Sequence, residues 1–363
     1  MRILACALVV LVLGMACLAV ALSHTSPCRV EPDTAPRQPM QAAVARCYGS
    51  ADVVRIERVE RPVPADHGLL VRVHASSINP LDWHLMRGEP YLMRAGSGWG
   101  APNDASMGTD FAGTVVAVGK RVTRFKPGDE VFGAAHATYA QYLRVPENAA
   151  VTLKPALLSF EQAAATPVAA VTALQGLRDH GHLRAGQKVL INGAGGGVGT
   201  FAVQIAKAMG ADVSAVTNAG SIELVRSLGA NHAIDYARQD FTLGTIRYDL
   251  ILDMSGDHPL SAYRQAMTPD GIYVFAGDTG KGSWTGPLAG FAKALIVSMF
   301  VHQKLVPFMS DTNPADLAQL ADLLQAGKVK PVIDRQYRLD QIADAIRYQE
   351  TGHARGKVLV TME

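Results

Sequence analysis

Val189-Leu190-Ile191-Asn192-Gly193-Ala194-Gly195-Gly196-Gly197-Val198-Gly199 runs from an apolar strand pattern through a glycine-rich turn into an amphipathic helix. Glycines let a backbone approach a diphosphate closely, and the unpaired N–H groups and positive dipole end of the following helix stabilise its charge. With a strand before it, a helix after it and more of the same alternation downstream, the loop reads as a dinucleotide cradle. Its lining would be Gly193, Ala194, Gly195, Gly196, Gly197, Val198 and Gly199; the bland alternative is a structural turn.

Downstream of this loop the pattern continues. Strands are expected at 188–192, 212–217, 233–236, 248–253 and 271–276. Between them lie helices such as 199–209, stopped by Gly210, and 222–228, with Ser221 as its N-cap and Gly229 as its stop. That alternation builds a doubly wound parallel sheet with helices on both faces. Upstream, residues 40–160 read instead as short strands and turns. Leu69-Leu70-Val71-Arg72-Val73 is one strand, and Lys126-Pro127-Gly128-Asp129 is a turn in which proline presets one dihedral and glycine permits a positive one. Past residue 308, Asn313-Pro314 opens a helix, another lies near 340–349, and a last strand at 357–361 returns to the first unit. The apolar run 288–301 carries Lys293 and is too short to cross a bilayer, so it reads as a core or interface helix.

Composition narrows the partners. With 363 residues the chain holds two compact domains. Its 34 basic and 32 acidic side chains nearly cancel and form no run, which excludes nucleic acid and leaves a small molecule. Of the four cysteines, Cys6 and Cys17 lie in the first apolar run, while Cys28 and Cys47 share no Cys-x-x-Cys spacing. Neither a disulfide framework nor a zinc knot is expected.

The uncharged run 3–22 is long enough as a helix to cross the hydrocarbon core of a bilayer. Three readings stay open: an uncleaved signal anchor, a secretory peptide cut after Ala19-Val20-Ala21, or a lipoprotein signal ending at Cys17. A membrane-associated protein is expected, with its catalytic part facing the cytosol, where reduced nicotinamide is at hand, and an exported form as the alternative. Pro27, Pro32, Pro36 and Pro39 break up a polar stretch that reads as a linker.

The end of the second strand selects the dinucleotide. An acid there would hold the adenosine ribose of NAD, and Thr217-Asn218-Ala219-Gly220-Ser221 contains none. A 2′-phosphate meets no repulsion, and Asn218 and Ser221 are candidate donors to it. NADPH is expected, with NADH as the alternative.

Further stretches carry a family likeness: Ser77-Ile78-Asn79-Pro80-Leu81-Asp82-Trp83, Gly108-Thr109-Asp110-Phe111-Ala112-Gly113, Phe125-Lys126-Pro127-Gly128-Asp129-Glu130-Val131-Phe132-Gly133, and Gly352-His353-Ala354-Arg355-Gly356-Lys357-Val358. They resemble the zinc-independent quinone oxidoreductase branch of the medium-chain dehydrogenase/reductase superfamily, over nearly all of 40–363. The resemblance implies an α/β chain. A GroES-like, β-rich catalytic domain (40–160) would precede a Rossmann doubly wound parallel sheet (161–307), and 308–363 would return to the first domain. Ahead of them stand the N-terminal hydrophobic helix (1–22, signal anchor or signal peptide) and the linker (23–39). A homodimer is the state it implies.

Relatives that use zinc carry Gly-His-Glu where this chain has Gly108-Thr109-Asp110, and no metal is expected. Relatives contact the nicotinamide end at the position of Thr172 and the 2′-phosphate at that of Tyr236; where they place a basic side chain after the second strand, this chain has Gly220. Thr172 has a bland alternative, a hydroxyl bonded to its own helix backbone, and His84 reads as a packing residue. Without zinc the site suits quinones and α,β-unsaturated carbonyls, with Asn79 as oxyanion donor and Asp82 orienting its loop; the bland reading of both is a polar turn around Pro80. An enoyl-thioester reductase and a membrane-tethered coenzyme sensor or scaffold without turnover are the alternatives.

Overall fold

The computed structural model describes Gly14 and residues 17–28, 35–276, 283–284 and 287–362. Period-two alternation in the first half becomes β1 (Pro39–Ala45), β2 (Val54–Glu60), β3 (Gly68–Ser77), β4 (Asp110–Val118), β5 (Glu130–Ala134), β6 (Tyr142–Pro146) and β7 (Val151–Leu153). β1 and β2 form a hairpin-like pair of their own, and the rest pair antiparallel. Gly128, with φ +92°, turns the chain before β5 as its Lys-Pro-Gly-Asp setting predicts.

The second half is one parallel sheet of β8 (Lys188–Asn192), β9 (Asp212–Thr217), β10 (His232–Asp235), β11 (Tyr248–Asp253), β12 (Met267–Phe275) and β13 (Lys304–Pro307). Its order, β10-β9-β8-β11-β12-β13, reverses direction between β8 and β11, and ligands of such sheets bind outside the strand C-termini at that reversal. β8, β9 and β11 begin and end at the expected residues. β12 starts four residues earlier than expected, because Met267 pairs with Tyr248 before an irregularity at Thr268-Pro269-Asp270 that reads in sequence as a turn. β13 was not expected; four residues ending in proline carry too little alternation to be seen.

β14 (Ile333–Arg338) and β15 (Lys357–Thr361) leave this sheet and join the first, where β15 lies antiparallel to β3 through Leu359↔Ser77. The order there is β14-β15-β3-β4-β5-β7, with β6 on β3. One continuous apolar core links the two sheets. It runs from Ala75, Ala112 and Phe132 through the alanine-rich helix Pro167–Gln175 to Phe201, Val203 and Ile205 on the helix Gly197–Ala208. Small alanines let those two helices approach closely, and Phe201 is fully buried in the same core.

Two expectations change. The helix expected over 3–22 falls mostly outside the described residues, and among the described residues no helix is long and apolar enough to cross a membrane. Cys28 and Cys47 are joined in a disulfide, with their Cα atoms 4.6 Å apart, although a separation of 19 residues carries no motif. The bridge is possible because residues 22–26 lie on the first lobe: Leu22 is buried, Arg94 donates to the Leu22 and His24 carbonyls at 3.0 and 2.8 Å, and Ser26 N donates to Gly100 O.

Phe201 is fully buried in the shared core. Phe201→Ala is therefore expected to cost about 3–5 kcal/mol, read as a lower urea midpoint with an unchanged slope; a loss near zero would contradict the continuity of this core.

Candidate active site

Gly193, at φ +84°, ends β8 and turns the chain back over the sheet. Ala194 N donates to Val216 O at 2.9 Å, and the helix Gly197–Ala208 starts directly after Gly196. Its first N–H groups have no helical partner. The glycines are needed for different reasons. A Cβ on Gly199 would stand 2.2 Å from the Gly193 carbonyl oxygen, so the helix could not start there, and one on Gly195 would strike Thr217 Oγ1 at 2.5 Å. Around Gly196 there is open space, with only the Gly193 oxygen near. Unpaired N–H groups beside the open space at Gly196 fit a diphosphate.

The loop is also held from the far end of the chain. Gly356 N donates to Gly195 O at 3.0 Å, and Gly196 and Gly356 form a parallel bridge. From there the Lys357 side chain passes beneath Gly197, its Cδ 3.0 Å from where a Cβ would be, and ends among buried polar side chains of the first lobe.

At that end Lys357 Nζ donates to Asn79 Oδ1 at 2.6 Å and lies 3.4 Å from Asp110 Oδ2. Asn79 Nδ2 donates to the same Asp110 oxygen at 2.9 Å, Ser77 Oγ donates to it at 2.6 Å, and Val168 N donates to Asp110 Oδ1. All four polar side chains are buried. Asn79 precedes the helix Pro80–Arg87, and its N–H donates to Asp82 Oδ2 at 2.8 Å. Asp82 further accepts from Tyr139 OH at 2.6 Å and Thr109 Oγ1 at 2.9 Å. Burial pushes the Asp82 carboxyl above the usual carboxylate range despite these donors, and burial beside that carboxylate pushes the Tyr139 phenol well up. Asp82 thus clamps the turn that presents Asn79.

The remaining candidates lie at the C-terminal ends of β9 and β10 or apart. Asn218 follows β9, Tyr236 follows β10 with its ring exposed, and Tyr236 N donates to Thr217 O, so both stand at one end of the sheet. Ser221 is buried beside them, but its hydroxyl caps no helix and has no hydrogen-bond partner, contrary to the capping role expected for it. Thr172 Oγ1 donates to Val168 O at 2.7 Å, the bland alternative, and also lies 2.8 Å from Ser310 Oγ. His84 stacks on Trp83 and its Nδ1 lies 2.9 Å from the Glu89 carbonyl oxygen, as a packing residue does; burial lowers its pKa. Among the described residues no three His, Cys, Asp or Glu side chains gather as metal ligands.

Comparison with known proteins agrees with this architecture. Residues 65–155 match the alcohol dehydrogenase GroES-like domain, and residues 228–360 match the family described as zinc-binding dehydrogenase. The chain is 34% identical to 2-methylene-furan-3-one reductase of Solanum lycopersicum, over 86% of this chain and 76% of that one. The chain belongs to the medium-chain dehydrogenase/reductase family, among its quinone oxidoreductase-like members. It is also 33% identical to the mitochondrial NAD(P)H oxidoreductase RTN4IP1 of Homo sapiens, over 91% of each chain. The quinone oxidoreductase of Coxiella burnetii superposes with a TM-score of 0.78 at 28% identity, covering 90% of this chain and all of that one. This family member is an oxidoreductase whose coenzyme is NADPH or NADH.

Sequence reasoning missed Lys357, Asp110 and Tyr139. Lys357 and Asp110 stand inside the motifs that carry the family likeness, but a motif does not say which of its side chains turn inward. Lys357→Met would leave the Asp110 carboxylate buried without its cation, and the expected loss is about 3–5 kcal/mol. Adding Asp110→Asn should return much of it. Strictly additive losses in a urea double-mutant cycle would show that the pair is not coupled.

Proposed function

We propose that this protein reduces quinones or α,β-unsaturated carbonyl compounds with NADPH and without zinc. The observation that carries the reading is the buried Asn79–Asp110–Lys357 cluster, which Lys357 and Gly356 join to the glycine loop. Family members that use zinc need a histidine and a glutamate where this chain has Thr109 and Asp110. Here the Thr109 hydroxyl is spent on Asp82, and both Asp110 oxygens accept from Ser77, Asn79 and Val168. These residues do not fit a metal, and no step runs through one.

The coenzyme has a fitting cradle at 193–199 and supplies a hydride when bound. The chain's own residues do the rest. One N–H of the Asn79 amide is engaged by Asp110, and the other remains for the oxygen on which negative charge develops as the acceptor carbon is reduced. Lys357 at Oδ1 draws electron density away from that amide and so strengthens its donor. Asp82 and Tyr139 fix the turn, and a solvent proton completes the product. A homodimer agrees with the exposed Leu295, Ile296, Met299 and Phe300 beside the edge strand β13.

Purified protein should oxidise NADPH with a quinone or enone, keep its rate in a chelator, and leave an acyl-thioester untouched. Asn79→Ala should lower kcat by roughly 100-fold with little change in the KM for coenzyme. Turnover confined to the thioester favours the enoyl-thioester reductase, binding without turnover on any acceptor favours the sensor, and loss of activity on chelation overturns the metal-free reading.

Compartment has its own test. A disulfide such as Cys28–Cys47 persists on the oxidising side of a membrane, whereas reduced nicotinamide is supplied on the other. Alkylation of both thiols in freshly broken cells would set the catalytic lobe facing the cytosol; a bridge resistant to alkylation would set it outside.

A further inference from the structure

The stretch directly after β9, Asn218-Ala219-Gly220-Ser221, holds no basic side chain of its own. The space beside Gly220 is nevertheless filled. A Cβ on it would lie 2.6 Å from Arg355 Nη2 and 3.1 Å from Arg355 Cζ, with Asn218 Oδ1 at 3.3 Å. The guanidinium comes from the segment just before β15, some 135 residues later in the chain. We propose that Arg355 is the cation that binds the coenzyme's adenosine 2′-phosphate, taking the place of the basic side chain that Gly220 lacks.

Four observations converge on this. The Arg355 backbone is held beside the loop that would hold the diphosphate, since the next residue, Gly356, is hydrogen-bonded to Gly195 and bridged to Gly196. Its own N–H is tied to Asp334 Oδ2 at 3.0 Å, while among the described residues no carboxylate lies within ion-pair distance of its exposed guanidinium. Two acids near the ends of β9 and β10 are otherwise engaged: Glu223 pairs with Arg226, and Asp235 with Arg238. Finally, Ser221 Oγ is buried, has no partner, and stands 3.0 Å from where a Cβ on Gly195 would be, between the diphosphate loop and Gly220.

The chemistry suits one group. A phosphate monoester carries close to two negative charges and accepts paired N–H donors, which a guanidinium supplies in a fixed planar fork. A ribose hydroxyl offers it neither. An unpaired cation, an orphaned hydroxyl and the Asn218 side chain around one small volume therefore discriminate for NADPH.

The inference rests on the coenzyme reading proposed above, and binding separates the two. Fluorescence and calorimetric titrations of the full chain with NADPH, NADH, adenosine 2′,5′-bisphosphate and 5′-AMP require no turnover. Arg355→Gln, at an exposed position, should weaken NADPH and the bisphosphate by about 10- to 100-fold and leave NADH and 5′-AMP unchanged. Arg355→Lys should restore part of the loss, and raised salt should reduce the wild-type preference for NADPH. Equal weakening of NADPH and NADH would make Arg355 a support of the loop, and no change in either would leave it outside the subsite; each result overturns the proposal. Wild-type protein that binds neither coenzyme overturns the coenzyme reading itself.

Discussion

Two residues near the C-terminus hold the site together. Gly356 closes onto Gly195 by a backbone hydrogen bond, and Lys357 passes beneath Gly197 to reach Asn79 and Asp110. The loop suited to a diphosphate and the side chain suited to an oxyanion belong to different lobes, and this short stretch spans them. A hydride transfer depends on the distance and orientation of two reacting atoms. In the proposed reaction that relation would be set by backbone pairing on one side and by a buried ammonium on the other. Gly356 is forced to be glycine: its φ is +96°, and a Cβ would lie 2.4 Å from the Val332 carbonyl oxygen.

Burying a lysine beside an aspartate costs solvation that the pair alone does not return. The cluster is tolerable because nearly every lone pair and proton in it is used: Asp110 takes N–H and O–H donors at both oxygens, and Lys357 meets Asn79, Asp110 and the Ile78 carbonyl. Such an arrangement fixes the Asn79 amide in one orientation, with its oxygen toward Lys357 and its nitrogen toward Asp110. Asp82 acts one step further out, through Tyr139, Thr109 and the Asn79 N–H, and touches nothing that would react.

The parallel sheet was legible because its strands are apolar runs bounded by glycines: Gly193, Gly210 and Gly229 all have positive φ where the chain leaves an element. β13 and the early start of β12 were hidden by proline and by brevity. Within the site, the glycine loop and Asn79 could be read because their chemistry is local. Lys357 and Arg355 could not, since each meets its neighbours across more than a hundred residues, brought together by the pairing of β15 with β3 and of Gly356 with Gly195 and Gly196. Ser221 shows the opposite error. A serine before a helix reads as a cap, yet its hydroxyl is left buried and without a partner.

Amide hydrogen exchange, followed with and without saturating NADPH, tests the central claim most directly. If the coenzyme sits on the glycine loop and Gly356-Lys357 ties that loop to the catalytic turn, exchange should slow together at 193–199, 356–358 and 79–82. Protection confined to other surfaces, or slowing of the loop with no response at 79–82, would contradict the coupling of the two lobes on which the mechanism depends.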